Sequence, residues 1–267
     1  MRQLKSINHC LDIMELFLVE TEKGCSLGEV TAACGLTKAA THTILANLVQ
    51  RDYLAYDPNR RRYFLGIRTW ELGARYLDSI DFIQIVQPVL RALVEITGET
   101  ALLSRYTHGY VVYLDSVLTT ASVATYTKLG ARAPAYCTAT GKAQLAFAPS
   151  SEVDHFCAQE KKRYTEYTIT GADALRSELH HIRESGYAIN RGEYSPDVTG
   201  VGAPVFSRAG DLVGGIGISG PAYRLGRDPA GEVCHAVLTL AASLQTNLVG
   251  TAVPLVSFEA LDEGSVA

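Results

Sequence analysis

The sequence predicts an α+β protein with a winged helix-turn-helix at its amino end, joined by a helical linker to a mixed α/β body. Three observations predict it. Residues 1–66 order as helix, helix–glycine–helix, then hairpin; residues 67–81 stay helical and apolar; from Thr100 the apolar period shortens toward two. The 267 residues allow one to two domains at about 150 residues each. Their 47% apolar and 19% charged content is globular rather than disordered. No apolar run reaches the roughly 18 residues of a membrane span, and Asp12, Glu15 and Glu20 argue against a signal peptide. The six cysteines form no CxxC pair, which suits free thiols in a reducing cytoplasm. His155, Cys157, His180 and His181 lack a metal-ligand spacing, so neither metal nor cofactor is expected.

The first helix shows Leu4, Ile7, Leu11, Met14 and Leu18 at steps of three and four, predicting that stripe as its buried face. Ser26 with Glu29 has capping-box spacing and opens a short helix that Gly35 ends; Thr37 then caps a third helix reaching about Arg51. On that helix Leu36, Ala40, Thr41, Ile44, Leu45 and Leu48 fall on the inner side. Lys38, Ala39, His42, Thr43, Ala46 and Gln50 fall on the outer side, with Asn47 at the boundary. No acid occurs from Val30 to Arg51, so nothing there repels phosphate, and small or hydrogen-bonding side chains can enter a major groove. Tyr53–Tyr56 and Tyr63–Leu65 flank an Asp57-Pro-Asn-Arg60 turn, a hairpin whose Arg60, Arg61 and Arg62 suit DNA backbone contact. Residues 1–78 hold ten Lys/Arg against nine Asp/Glu, while the remainder holds 14 against 19. An anionic partner therefore fits the head better than the body.

Two helical stretches follow, ending at Gly98, and Trp70, Leu72 and Tyr76 make the first too apolar for a free linker. The body reads as strands around His108-Gly109, a strand Ser122–Lys128, a helix from Thr138, a helix 171–185, three further strands and a last helix near 229–249. Residues 251–267 read as a flexible tail. Gly215-Ile-Gly217-Ile-Ser-Gly220 matches a dinucleotide fingerprint in letters only, because Pro221 follows and no βαβ unit surrounds it. It implies a strand stripped of side chains, with something lying against its backbone. Thr138-Ala-Thr140-Gly141-Lys142 at a helix start favours either an anion or simple capping. Ser219 lies outside any GxSxG setting and no triad emerges, so no catalytic residue is expected. An enzyme carrying a DNA-binding head and a constitutive DNA binder with an empty body remain as alternatives.

These residues together resemble the IclR-type bacterial transcriptional regulators across essentially the whole chain. The head resembles the family in Ser6-Ile-Asn-His-Cys-Leu-Asp-Ile-Met14, Gly35-Leu-Thr-Lys38, Leu45-Ala-Asn-Leu48 and the aromatic hairpin closing at Gly66. The body does so in Gly130-Ala-Arg-Ala-Pro134, Thr138-Ala-Thr-Gly-Lys-Ala143, Gly186-Tyr-Ala-Ile-Asn-Arg-Gly-Glu193, Gly202-Ala-Pro-Val205 and Ile216-Gly-Ile-Ser-Gly-Pro221. The resemblance implies a GAF-like (PAS-related) effector domain over 82–250, dimers through head and linker, and often tetramers. It implies double-stranded operator DNA as one partner and a small organic acid as another. Thr37, Lys38, Ala39, His42, Thr43, Asn47 and Arg60 to Arg62 are the expected DNA contacts. The implied effector pocket takes Ser122 and Thr125 on one strand, Ala133, Ala139, Thr140, Asn190, Glu193, Pro204, Gly217 and Ser219. Departures stand at Ala39-Ala40, where the family has Ser-Thr, at Thr43, where Arg is frequent, and at Gly217, where a small polar residue is common. The last of these implies a larger pocket or a lost ligand contact.

Overall fold

A computed structural model describes residues 4–18, 23–78, 81–229 and 231–247. The chain divides into two compact units, 1–79 and 80–267. The expected tail 251–267 lies outside the described residues, as do the last two positions of the expected final helix.

The amino-terminal unit runs α1 (Lys5–Leu16), α2 (Leu27–Cys34), α3 (Lys38–Gln50), a hairpin of β1 (Leu54–Asp57) and β2 (Arg62–Leu65), and α4 (Ile67–Asp78). The Ser26–Glu29 capping box is complete, and Gly35 takes a left-handed φ of 62° between α2 and α3. Thr37 caps α3 by accepting the Ala40 N–H at 3.3 Å. Leu45, Leu48 and Thr41 are buried, whereas Ala40 is exposed rather than inward. The buried face of α1 also differs from the expected one. Ile13 and Phe17 enter the core beside Val30, Leu45 and Leu54, while Leu4, Ile7, Leu11 and Leu18 stay exposed. Helix α1 carries two apolar stripes, and periodicity alone does not say which one the unit buries.

The carboxy-terminal unit is a six-stranded antiparallel sheet of order β5-β4-β3-β8-β7-β6. Its strands are β3 (Thr100–Thr107), β4 (Tyr110–Val117), β5 (Arg132–Pro134), β6 (Ala188–Arg191), β7 (Val198–Phe206) and β8 (Leu212–Pro221). Helices α5 (Asp81–Thr97) and α10 (Gly231–Asn247) bury Val86, Leu90, Leu93, Val237 and Leu244 on one face. Helices α6 (Ala139–Leu145) and α8 (Ala172–Ser185) bury Ala143, Leu145, Leu175, Leu179 and Ile182 on the other. Two further helices, α7 (Ser150–Ala158) and α9 (Ala222–Leu225), were not anticipated from the sequence.

The expected strand Ser122–Lys128 is irregular chain. Its Val-x-Thr-x-Thr alternation has strand period, but the neighbour that β4 takes on its outer side is the short β5, at Tyr110–Val112, and the 122–128 run pairs with no strand among the described residues. The glycines of β7 and β8 have a structural occupant. A Cβ at Gly202 would stand 2.6 Å from the Thr140 nitrogen, and one at Gly217 would strike the Val201 carbonyl. Helix α6 rests its backbone on these strands, and every one of its residues is buried.

Candidate functional site

In the amino-terminal unit, Lys38, Ala39, His42, Thr43, Ala46, Asn47 and Gln50 are all exposed on α3. The Thr43 hydroxyl donates to the Ala39 carbonyl at 3.0 Å, and the Asn47 amide donates to the Thr43 carbonyl at 2.8 Å. These back-bonds hold both side chains along the helix and leave the Asn47 amide oxygen to accept. A groove of about 950 Å³ runs between α2, α3 and the hairpin, with Lys38, His42, Gln50, Tyr56 and Arg61 on its walls. At the hairpin tip the Asp57 carboxylate accepts the Asn59 and Arg60 N–H groups, and Arg61 sits at φ 52°.

The three arginines of the tip divide by role. Arg60 and Arg61 are exposed, Arg60 lying 3.6 Å from Asp57. Arg62 instead turns inward, donating to both Glu29 carboxylate oxygens at 2.8 and 3.0 Å and to the Gly24 carbonyl at 3.0 Å. The Glu29 carboxyl is held below its ordinary value by hydrogen bonds from Ser26, with Arg62 adding to them. Arg62 thus clamps the hairpin to the start of α2, a role its place in a three-Arg run concealed.

In the carboxy-terminal unit a cavity of about 800 Å³ opens between the sheet, the start of α6 and the 123–128 segment. Leu102, Ala133, Ala139, Thr140 and Asn190 are its buried lining; Tyr126, Lys128, Arg132 and Tyr223 are its exposed rim. Tyr113 joins the buried lining, and burial pushes its phenol well above the ordinary value, so it meets a ligand as a neutral hydroxyl. Asn190 accepts the Glu193 N–H at 2.8 Å through its amide oxygen, which fixes the amide's orientation at the cavity wall.

Residues 6–58 match the IclR helix-turn-helix domain, and residues 74–246 match the bacterial transcriptional regulator IclR C-terminal family. The chain belongs to the IclR family of bacterial transcriptional regulators. The HTH-type transcriptional regulator BhcR of Paracoccus denitrificans is 27% identical over 242 residues, covering 90% of this chain and 86% of that protein. The crystal structure of an IclR transcriptional regulator from Silicibacter sp. TM1040 superposes with a TM-score of 0.82 at 23% identity, covering 91% of this chain and 96% of the other. An IclR homologue from Microbacterium hydrocarbonoxydans, complexed with 4-hydroxybenzoate, superposes with a TM-score of 0.76 at 19% identity, covering 91% and 98%. The relatives are regulators of transcription, and this IclR protein is a DNA-binding regulator rather than an enzyme. Among the described residues no helix is long and apolar enough to cross a membrane.

Of the effector residues expected for this IclR chain, Thr125, Ala133, Ala139, Thr140, Asn190 and Ser219 line the cavity. Ser122, Glu193, Pro204 and Gly217 do not. Ser122 is an exposed residue of the irregular segment, and Pro204 is buried in the β7–β8 ladder opposite Gly215. Gly217 is absent from the cavity lining, and Thr140 and the Val201 carbonyl fill the space beside it. Glu193 is an internal ion-pair partner. The wholly buried Lys142 ammonium donates to Glu193 at 2.6 Å, Glu178 at 2.7 Å and the Ile189 carbonyl at 2.8 Å. Its three protons meet three acceptors, so this lysine ties α6 to α8 and β6 and has no N–H left for an anion. Thr138 makes no capping bond either; its hydroxyl donates to the Pro134 carbonyl at 3.1 Å. The sequence missed Tyr113, Lys128, Arg132, Tyr194 and Asp197 as lining residues. A signal was present in the Gly192–Asp197 stretch, whose turn-forming and aromatic composition marks a loop able to fold over a pocket.

Proposed function

We propose that this IclR regulator binds operator DNA as a dimer or tetramer and adjusts its occupancy to a small organic acid in the carboxy-terminal cavity, acting in the cytoplasm. The observation that carries the reading is the pairing of an acid-free outer face on α3 with a lined cavity in the other unit. Lys38, His42, Thr43 and Asn47 read base edges, Ala39 admits close approach, and Thr37 starts the helix at the right register. Arg60 and Arg61 hold phosphates. The rim cations Lys128 and Arg132 suit a carboxylate, and Tyr113 and Leu102 suit an apolar body. A protein of the same fold that holds 4-hydroxybenzoate supports an acid of that size. A second copy of the chain fits the exposed Leu4, Ile7 and Leu11 at and after the start of α1 and the exposed Ile67, Trp70 and Tyr76 of α4. For the acid to change occupancy it must bind one arrangement of the dimer better than another.

A thermal-shift panel of small carboxylates tests the sensing half: an acid at a hundred times its Kd stabilises by about 2.7 kcal/mol. No shift across a broad panel overturns it. Thr140→Val is expected to weaken the response to any acid found and to leave DNA affinity unchanged, measured by titration on operator DNA. His42→Ala and Asn47→Ala are expected to alter preference between operator variants by about 1–3 kcal/mol at single base pairs. Equal loss on every sequence would remove them from base reading. Replacing Arg60 and Arg61 together by Ala should weaken binding to all duplexes and lower the salt slope by roughly one per arginine in each protomer. Arg62→Ala should weaken binding through a loosened hairpin, with the salt slope nearly kept. An Arg62 slope change equal to the others would place its side chain on phosphate after all.

A further inference from the structure

Among the described residues, the segment that walls the cavity on its outer side, Val123 to Lys128, has no ladder partner; at its end the Lys128 carbonyl accepts the Ala131 N–H at 3.0 Å in a local turn. Val123 and Tyr126 are exposed at 53% and 75%. From Ser122 to Thr127, among the described residues, two hydrogen bonds join it to the rest of the unit. The Thr125 hydroxyl donates to the Ser219 carbonyl at 2.7 Å, and the Arg224 guanidinium donates to the Val123 carbonyl at 3.0 Å.

Arg224 is itself aimed. Its Nη2 donates to Glu99 Oε2 at 2.6 Å while its Nε donates to Oε1 of the same carboxylate, a two-pronged pairing. Glu99 is only 1% exposed, a buried charge at the foot of β3. Such a carboxylate is costly unless paired, and Arg224 pairs it. Room for it exists because position 220 is glycine, where any Cβ would collide with the carboxylate. Residues 99, 220 and 224, dispersed in sequence, therefore converge on one result: a guanidinium held by a buried carboxylate, with a second Nη2 proton directed at the Val123 carbonyl of the cavity wall.

We propose that Arg224, oriented by Glu99, is the positioning residue that holds the Val123–Lys128 segment in place, and that this tie sets how fast a ligand enters and leaves the cavity. The second half rests on the effector reading above. The planar fork is essential, because it serves a carboxylate and a carbonyl in fixed directions at once, which a lysine ammonium on a flexible stem does not.

Limited trypsin digestion of the full-length protein reads the tie directly at the exposed Lys128. Arg224→Lys keeps a counter-charge for Glu99 and so preserves the fold; it should raise cleavage after Lys128 about tenfold, the loss of one charge-assisted hydrogen bond. Cleavage at Lys162 and Arg163, in a different loop, should stay within a factor of about two, since local opening there is independent. Thr125→Val, removing the other tie, should act in the same direction. Unchanged cleavage at Lys128 in both variants overturns the proposal, and a uniform rise at every site assigns Arg224 to general stability instead. Stopped-flow release of anilinonaphthalene sulfonate, an apolar aromatic anion, reads the exchange half: faster release from Arg224→Lys is expected, and an unchanged rate overturns that half. A wild-type protein that takes up no dye defeats the effector reading and the exchange half with it, while cleavage at Lys128 still decides the positioning.

Discussion

Replacing Lys142 by Met is expected to destabilise the carboxy-terminal unit by about 3–5 kcal/mol, because it strands a buried carboxylate. Glu193 keeps its place against Asn190 but loses the Lys142 counter-charge at 2.6 Å, and among the described residues its second oxygen, Oε2, already has no hydrogen-bond partner. The loss should depend on pH. Burial already raises the Glu193 carboxyl above its ordinary value, with Lys142 pulling it back down. Without Lys142 the folded-state pKa rises further above the unfolded one, so the folded form gains from protonation. The deficit should then shrink as pH falls through that raised pKa and be fullest at neutral pH and above. Denaturant titrations at about pH 5 and pH 8 check the sign. A double variant, Lys142→Met with Glu193→Gln, should recover part of the loss. A single variant as stable as the wild type would show that the ion triad contributes nothing.

Gly202→Ala is expected to cost about 3 kcal/mol, near the top of the overpacking range, and to abolish ligand uptake. The added methyl would stand 2.6 Å from the Thr140 nitrogen and 2.7 Å from the Ala139 carbonyl carbon, both helix backbone that cannot rotate away. Helix α6 must lift, carrying two lining residues of the cavity with it. For a unit of this size the melting temperature should fall by roughly 6–12 °C. A variant with wild-type melting and uptake would show that α6 can move freely over the sheet.

The parts of the fold legible in the sequence are those governed by local rules. The Ser26–Glu29 box, the Gly35 stop, the Thr37 cap and the Asp57 turn involve partners within four residues, so their geometry is written in adjacent letters. The outer face of α3 was legible for the same reason. What escaped depends on partners distant in the chain. Arg62 finds Glu29 across 33 positions, and Lys142 finds Glu193 across 51. A charge has the same letter whether it is clamped internally or offered to a ligand. The Ser122–Lys128 run has the right alternation for a strand, but the availability of a sheet edge is a property of the whole topology. Of the ten pocket residues that the resemblance implied, six line the cavity, and Ser122, Glu193, Pro204 and Gly217 do not.

The seat of α6 on glycine-bearing strands has a consequence for how such a cavity can diversify. Its inner floor is backbone lying on backbone, so almost any substitution there disrupts the scaffold before it changes selectivity. Freedom to acquire new chemistry is confined to the loops at the mouth, around Tyr126 and Tyr194, where side chains can change size and charge without disturbing the sheet. On this plan the cavity is altered from the outside inward, at the entrance first, because the glycine-bearing floor has no room for a side chain.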